Sequence, residues 1–143
     1  MMFVDASAIV AVLNQETGWE RIAQRMADSP SLLLASPLVR FEAVLALARA
    51  ASRDRGVQQR SDAEMIAAAR DLVDDFLSEI GATEVPITRE IGEAALLAAA
   101  AYGKLVGHPA ALNFGDCFSH ACARVHGTAL LYKGEDFART DLA

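Results

Sequence analysis

Four short apolar runs, each closed off by turn or cap residues and separated by longer helix-forming stretches, constrain this chain more than any other feature. They are Met2-Phe3-Val4-Asp5, which ends in an acid, Leu32-Leu33-Leu34-Ala35, Glu84-Val85-Pro86-Ile87 and Thr128-Ala129-Leu130-Leu131-Tyr132. Runs this short and this apolar read as strands covered on both faces. With helices between them they predict an α/β fold. The expected architecture is a parallel central sheet of four to five short strands flanked by helices, in three α/β/α layers, as one domain over residues 1–143. Right-handed crossovers then bring the strand C-termini to one edge, outside which the ligand crevice of an open α/β sheet lies.

The helices carry their own signals. Ser7 is placed to cap a short first helix through Ala8, Ile9, Val12 and Leu13 that ends near Asn14. Trp19, Ile22, Ala23 and Met26 keep the i, i+3, i+4, i+7 spacing of a second, closed by Asp28-Ser29-Pro30. Ser36-Pro37 supplies cap and first turn for a third, reaching about Arg53. Ser61-Asp62-Ala63-Glu64 reads as a capping box that opens a fourth, running to about Glu79. A fifth starts at Thr88 and stops at Gly103 or Gly107; a sixth spans Asp116 to Val125, with Asn113 as the turn or cap residue before it. Pro86 confines the third strand to an edge or a strand end.

Composition removes several classes. Apolar residues at 53% and charged residues at 22% exclude a disordered chain. Charged residues interrupt every apolar stretch well short of the roughly 18 residues of a membrane span. The opening Met1-Met2-Phe3-Val4-Asp5 lacks a basic segment and meets an acid at once, unlike a signal peptide. Cys117 and Cys122 lie in one predicted helix and read as reduced thiols, so the expected compartment is the cytoplasm. Thirteen Lys and Arg against 19 Asp and Glu give a net charge of −6. Such a chain is a poor generic binder of nucleic acid, since phosphate affinity comes from counterions released to Lys and Arg. To act on phosphates it must borrow positive charge.

Position selects among the acids. Asp5 ends the first strand, either as a cap on the next helix or as a ligand that needs a partner for its charge. Asp136 lies just past the fourth strand on the same predicted edge. Asp116 opens the sixth helix, where the helix dipole favours an acid in any case. Glu42 interrupts the apolar run Leu38 to Leu47, and Arg40, two residues away, faces elsewhere on a helix; a solvated position on a partly exposed face is the other reading. The predicted layering brings Asp5, Asp116 and Asp136 to one edge, with Glu42 reaching in. Several carboxylates cannot all stay ionised at close range without a counter-charge. A hard divalent cation such as Mg2+ takes oxygen ligands and resolves the conflict. A pair of such ions suits activation of a water and stabilisation of the leaving oxygen of a phosphodiester. Ser7 is placed either to cap the helix or to bring a hydroxyl to the site. Arg40, Lys133 and Arg139 stand near the acids in sequence, as phosphate contacts or as ordinary surface charge.

These residues resemble the PIN-domain family and, within it, the VapC-type toxins of bacterial toxin–antitoxin pairs. The likeness spans nearly the whole chain: Phe3-Val4-Asp5-Ala6-Ser7-Ala8-Ile9, Glu42 in the third helix, Leu112-Asn113-Phe114-Gly115-Asp116-Cys117, Leu130-Leu131-Tyr132-Lys133-Gly134-Glu135-Asp136-Phe137, and the closing Thr140-Asp141-Leu142. It implies a metal-dependent ribonuclease that cuts RNA with a metal-activated water at a quartet of Asp5, Glu42, Asp116 and Asp136. The ligand role goes to Asp136 rather than to Glu135 by its place in the motif. Mg2+ is the implied ion, with Mn2+ substituting, and Ser7, Asn113, Thr140 and Asp141 are supporting positions. The resemblance further implies a cognate VapB-type antitoxin and a homodimer. The alternative is a catalytically weak module of the same fold that acts mainly through a protein partner.

Other chemistries fail on particular residues. A haloacid-dehalogenase-like phosphatase needs an acid where Ser7 stands, and a receiver domain needs paired acids where Val4 precedes Asp5. His108, His120 and His126 lack the spacing of a zinc hydrolase motif, and His120 and His126 read as helix-surface or helix-end residues. Cys117 has no positioned base and reads as a packed thiol. No Walker-type loop occurs.

Overall fold

The computed structural model describes residues 1–54 and 63–143. In chain order these form β1 (Met2–Val4), α1 (Ala6–Leu13), α2 (Trp19–Ala27), β2 (Leu33–Ala35), α3 (Pro37–Asp54), α4 (Ala63–Glu79), β3 (Thr83–Glu84), α5 (Arg89–Tyr102), α6 (Phe114–Val125) and β4 (Ala129–Leu131). Single-turn 3-10 helices follow α5, at Lys104–Val106, and β4, at Phe137–Arg139. No described helix is long and apolar enough to cross a membrane.

The strands form one four-stranded sheet in the order β3-β2-β1-β4, and all neighbours run parallel. Met2 faces Leu33 on one side and Ala129 on the other, while Val4 faces Leu131. Each parallel pairing needs a crossover, and the helices provide it while covering both faces. That is why β1 and β2 are wholly buried and carry no polar residue. Phe3, Val4 and Ile9 are fully buried at the centre of the core, with Ala121, Cys122 and Ala123 of α6 packed there too. The chain moves outward from β1 to β2 and β3, then returns past β1 to β4. Strand order therefore reverses at β1 and β4, and the crevice beyond their C-terminal ends is the expected place for a ligand.

Several boundaries differ from the sequence expectation. The cap of α1 is Asp5 rather than Ser7: its backbone is extended and its carboxylate accepts from the Ser7 N–H. The third strand is Thr83–Glu84 rather than Glu84–Ile87. The Val85 N–H still reaches the Ala35 carbonyl at 2.8 Å, and Pro86, with no N–H, ends the pairing. Ser36 and Pro37 start α3 as expected, with the Ser36 hydroxyl accepting from the Val39 N–H at 3.1 Å. α6 begins two residues early, at Phe114, because Asn113 and Asp116 form a capping box. The box expected at Ser61 to Glu64 lies partly outside the described residues. α5 ends at Gly103, whose Cβ position would collide with the Ala99 carbonyl.

Candidate active site

Each candidate acid reaches the sheet's C-terminal edge by a different local device. Asp5 is the first residue past β1, and its N–H continues the ladder to the Leu131 carbonyl at 2.9 Å. Its side chain is buried, at 4% exposure, yet well supplied with donors. One carboxylate oxygen accepts from the Ser7 N–H at 3.0 Å and the Ser7 hydroxyl at 2.6 Å, and the other from the Ser119 hydroxyl at 2.5 Å. These three bonds offset the cost of holding an anion inside the fold.

Asp116 sits in the first turn of α6, where its carboxylate accepts from the Asn113 N–H at 3.0 Å. The Asn113 side chain in turn accepts from the Asp116 N–H at 2.9 Å. Asp116 is nonetheless pushed up to about 6, chiefly by burial, with the charges of Asp5 and Asp136 adding to it and the bond from Asn113 opposing. Glu42, in the second turn of α3, is pushed up to about 7 by burial and then by the charges of Asp5 and Asp116. Asp136 is exposed, at the entry to the last 3-10 turn, and reaches the cluster through its charge on Asp116. The charges of Asp5 and Asp116 thus act on Glu42, and those of Asp5 and Asp136 on Asp116.

Gly115 leaves room for the Glu42 carboxyl beside α6. A Cβ there would fall inside the Glu42 carboxylate and meet nothing else as closely. Its backbone has no positive φ, so the glycine serves space rather than conformation.

The supporting residues divide. Ser7 and Asn113 touch the acids directly, and the Ser7 hydroxyl also accepts the Lys133 N–H at 3.0 Å, tying the loop after β4 to α1. Thr140 and Asp141 bond to other groups. The Thr140 hydroxyl donates to the Phe137 carbonyl, and Asp141 pairs with His120 at 2.7 Å and Arg124 at 3.3 Å. His120 is accordingly buried rather than on a helix surface, with its ring against Tyr102. Arg40 is not available to a phosphate: its guanidinium forks onto Asp74 of α4 at 2.6 and 2.9 Å. Lys133 and Arg139 remain exposed. Burial first, and then the Asp116 charge, raises the Cys117 thiol above its usual range, which keeps it protonated and poor as a nucleophile. Sequence reasoning missed Ser119 and Gly115. Ser119 lies three residues after Asp116 and so shares its helix face.

The donor set suits a hard cation. All the candidate ligands are oxygens, and two of the carboxyls are raised by burial and mutual repulsion. Among the described residues no Lys or Arg forms an ion pair with Asp5, Glu42, Asp116 or Asp136. Nor do any three described His, Cys, Asp or Glu side chains stand in a ready-made metal cage.

The model of the PIN domain family matches residues 2–142. This chain belongs to the PIN-domain family. Within the family it is 52% identical over 143 residues to a VapC ribonuclease of Rhizobium meliloti, covering 99% of each chain. It is 34% identical over 142 residues to ribonuclease VapC42 of Mycobacterium tuberculosis, covering 99% of this chain and 96% of that one. The crystal structure of Mycobacterium tuberculosis VapC20, described as a sarcin-ricin-loop-cleaving toxin, superposes with a TM-score of 0.68 at 22% identity, over 100% of this chain and 97% of that one. A toxin–antitoxin complex from Klebsiella pneumoniae matches with a TM-score of 0.61 at 15% identity, over 99% and 93% of the two chains. At such identities the structural likeness speaks for the PIN fold. VapC ribonucleases of this family generally use divalent metal ions.

Proposed function

We propose that this PIN-domain protein is a Mg2+- or Mn2+-dependent endoribonuclease of the cytoplasm, the toxin of a VapBC-type pair, with Asp5, Glu42, Asp116 and Asp136 as its acidic quartet. One observation carries the site assignment: Glu42 and Asp116 are raised to about 7 and about 6 at the reversal point of the sheet, and among the described residues neither is ion-paired with a Lys or Arg. The curated relatives named as VapC ribonucleases support the activity, and the solved toxin–antitoxin complex from Klebsiella pneumoniae supports an antitoxin partner. An apolar face around Leu96, Leu105, Phe114 and Phe118 supports self-association as a homodimer.

Asp5, Asp116 and Asp136 would hold the principal ion, and Glu42 with Asp116 would hold a second or orient the attacking water. When bound, such an ion supplies the positive charge that activates water and offsets charge on the phosphate. The chain's own residues do the rest. Ser7 and Ser119 fix both oxygens of Asp5, so that it meets a ligand in one orientation. The Asn113 cap fixes Asp116, and the clearance at Gly115 lets Glu42 reach in.

The test is cleavage of structured RNA by the purified protein with Mg2+, with Mn2+ and with chelator, in wild type and Asp116→Asn. Metal-dependent cleavage lost in the variant is the expected result. Equal cleavage by both points to a contaminating nuclease. A folded wild type that cuts nothing returns the reading to a binding module.

A further inference from the structure

The net charge of −6 leaves open how this protein would hold a polyanion on either side of the cut, since divalent ions serve only the scissile phosphate. Phe41, Leu45, Arg49 and Arg53 recur every fourth residue along α3, each beside the next and about 6 Å further along the axis, in a line that winds slowly around the helix. Phe41 is 58% exposed although it adjoins Glu42, and Arg49 and Arg53 are exposed as well. Among the described residues neither arginine stands in an ion pair, unlike Arg40 with Asp74 and Arg124 with Asp141. A cleft of about 480 Å3 lies along this face and reaches one of the four acids, Glu42; Ser7, Phe41, Leu45, Arg49 and Lys133 also line it. The Lys133 N–H bond to Ser7 holds that lysine's loop at the mouth. Glu16 is the only acid besides Glu42 among the residues lining the cleft.

We propose that this face of α3, with Lys133, is a track for single-stranded RNA that leads into the acidic cluster, with a base stacked on Phe41 and flanking phosphates on Arg49, Arg53 and Lys133. The proposal rests on the ribonuclease reading and deepens it. An exposed aromatic ring beside a line of cations is the combination that binds single strands without reading sequence, since every base has a stacking face and every nucleotide a phosphate. Charge selects RNA over a peptide: a protein segment that seeks the acidic site brings cations, which Arg49, Arg53 and Lys133 would repel.

The test uses the full chain carrying Asp116→Asn, so that nothing is cut, with Mg2+ and a fluorescein-labelled pool of random single-stranded RNA. Affinity is read by anisotropy across a salt series. Phe41→Ala should weaken binding about five- to a hundredfold, and Phe41→Trp should restore it. Arg49→Gln and Arg53→Gln should each lower the slope of log affinity against log salt by about 0.7. Exposure of all three side chains predicts unchanged melting temperatures. In the cleavage-competent background Phe41→Ala should raise KM more than it lowers kcat. If wild type cuts RNA while Phe41→Ala and Arg49→Gln bind it as tightly, with the same salt slope, the track is wrong, the ribonuclease reading stands and the groove passes to a protein partner. If wild type neither binds nor cuts RNA, both fail.

Discussion

Two sets of carboxylates in this molecule have opposite fates. At the sheet edge, burial and neighbouring acids raise Glu42 and Asp116 to about 7 and about 6. At the far end of α6, burial also acts against Asp141, but the hydrogen bond from His120 and the charges of His120 and Arg124 hold its carboxyl below the usual range. Asp74 is lowered as well, first by its bond from Arg40. Where the chain supplies its own cation, an acid fastens one element to another. Where it withholds one, the acids are left unpaired, which is the basis of the proposed cation site. The residue type is the same in both places, and the neighbour decides the role.

The largest effect that separates the two sets is on cleavage. Asp116→Asn should reduce metal-dependent RNA cleavage by about a hundredfold or more, while Asp141→Asn leaves it within about threefold. The asparagine at 116 still accepts from the Asn113 N–H, so the helix cap survives the change. Equal losses in the two variants would mean that the C-terminal clasp shapes the site, and the contrast would fall.

Metal binding should stabilise only through the unpaired set. With Mn2+ at about a hundred times its dissociation constant, linkage predicts about 2.7 kcal/mol of added stability, seen as a rise in melting temperature. The rise should shrink in Asp5→Asn and persist in Asp141→Asn. A wild type indifferent to Mn2+ would count against a cluster that collects cations.

The pH response should have opposite signs in the two regions. Glu42 and Asp116 bind protons more tightly in the folded chain than in the unfolded one. Their contribution is therefore full below the ordinary carboxylate range and is lost as pH rises through about 6 to 7. Asp141 and Asp74, being lowered, contribute above that range and lose their contribution as pH falls. Metal-free protein melted from pH 5 to pH 8 should lose on the order of 2 kcal/mol from the site, and Glu42→Gln should flatten that slope. A slope unchanged in Glu42→Gln would place the titration elsewhere.

Gly115→Ala sharpens the comparison on geometry alone. The atoms nearest the added methyl belong to the Glu42 carboxylate, the mobile end of a side chain, while alanine gains up to about 1 kcal/mol over glycine in a helix. The variant should melt no lower than wild type yet lose about tenfold or more in cleavage, because Glu42 is displaced. Full activity would show that Glu42 can work from another position.

How much of this was legible in the sequence follows from which interactions are local. The apolar runs around Phe3, Leu34 and Leu130 announce buried parallel strands because both faces of each are covered. The strand ends then place Asp5 and Asp136 at one edge without further information. Asp116 is marked by its cap partner Asn113, three residues before it. What the sequence hid depends on which helix faces meet. Arg40 looked close to Glu42, but two residues on a helix turn it toward α4 and Asp74. Ser119 reaches Asp5 across 114 positions of sequence, and nothing local says that this face of α6 meets β1. His120 looked exposed because its partner, Asp141, arrives only with the last residues of the chain.

That clasp gives the smallest predicted effect and the cleanest control. Asp141 is partly exposed, at 39%, whereas His120 is nearly buried, at 7%. Asp141→Asn keeps the shape and a hydrogen-bonding oxygen but removes the charge facing His120 and Arg124. The expected loss is about 1 kcal/mol, the scale of one charge-assisted hydrogen bond open to water on one side. Measured by denaturant unfolding near neutral pH, that loss should fade as pH falls and the wild-type carboxylate takes up its proton. In Asp116→Asn, metal-free stability should hold or rise at neutral pH, because repulsion on Glu42 is removed. If both substitutions destabilise alike, Asp116 is a helix cap and nothing more, and the division between paired and unpaired acids loses its meaning.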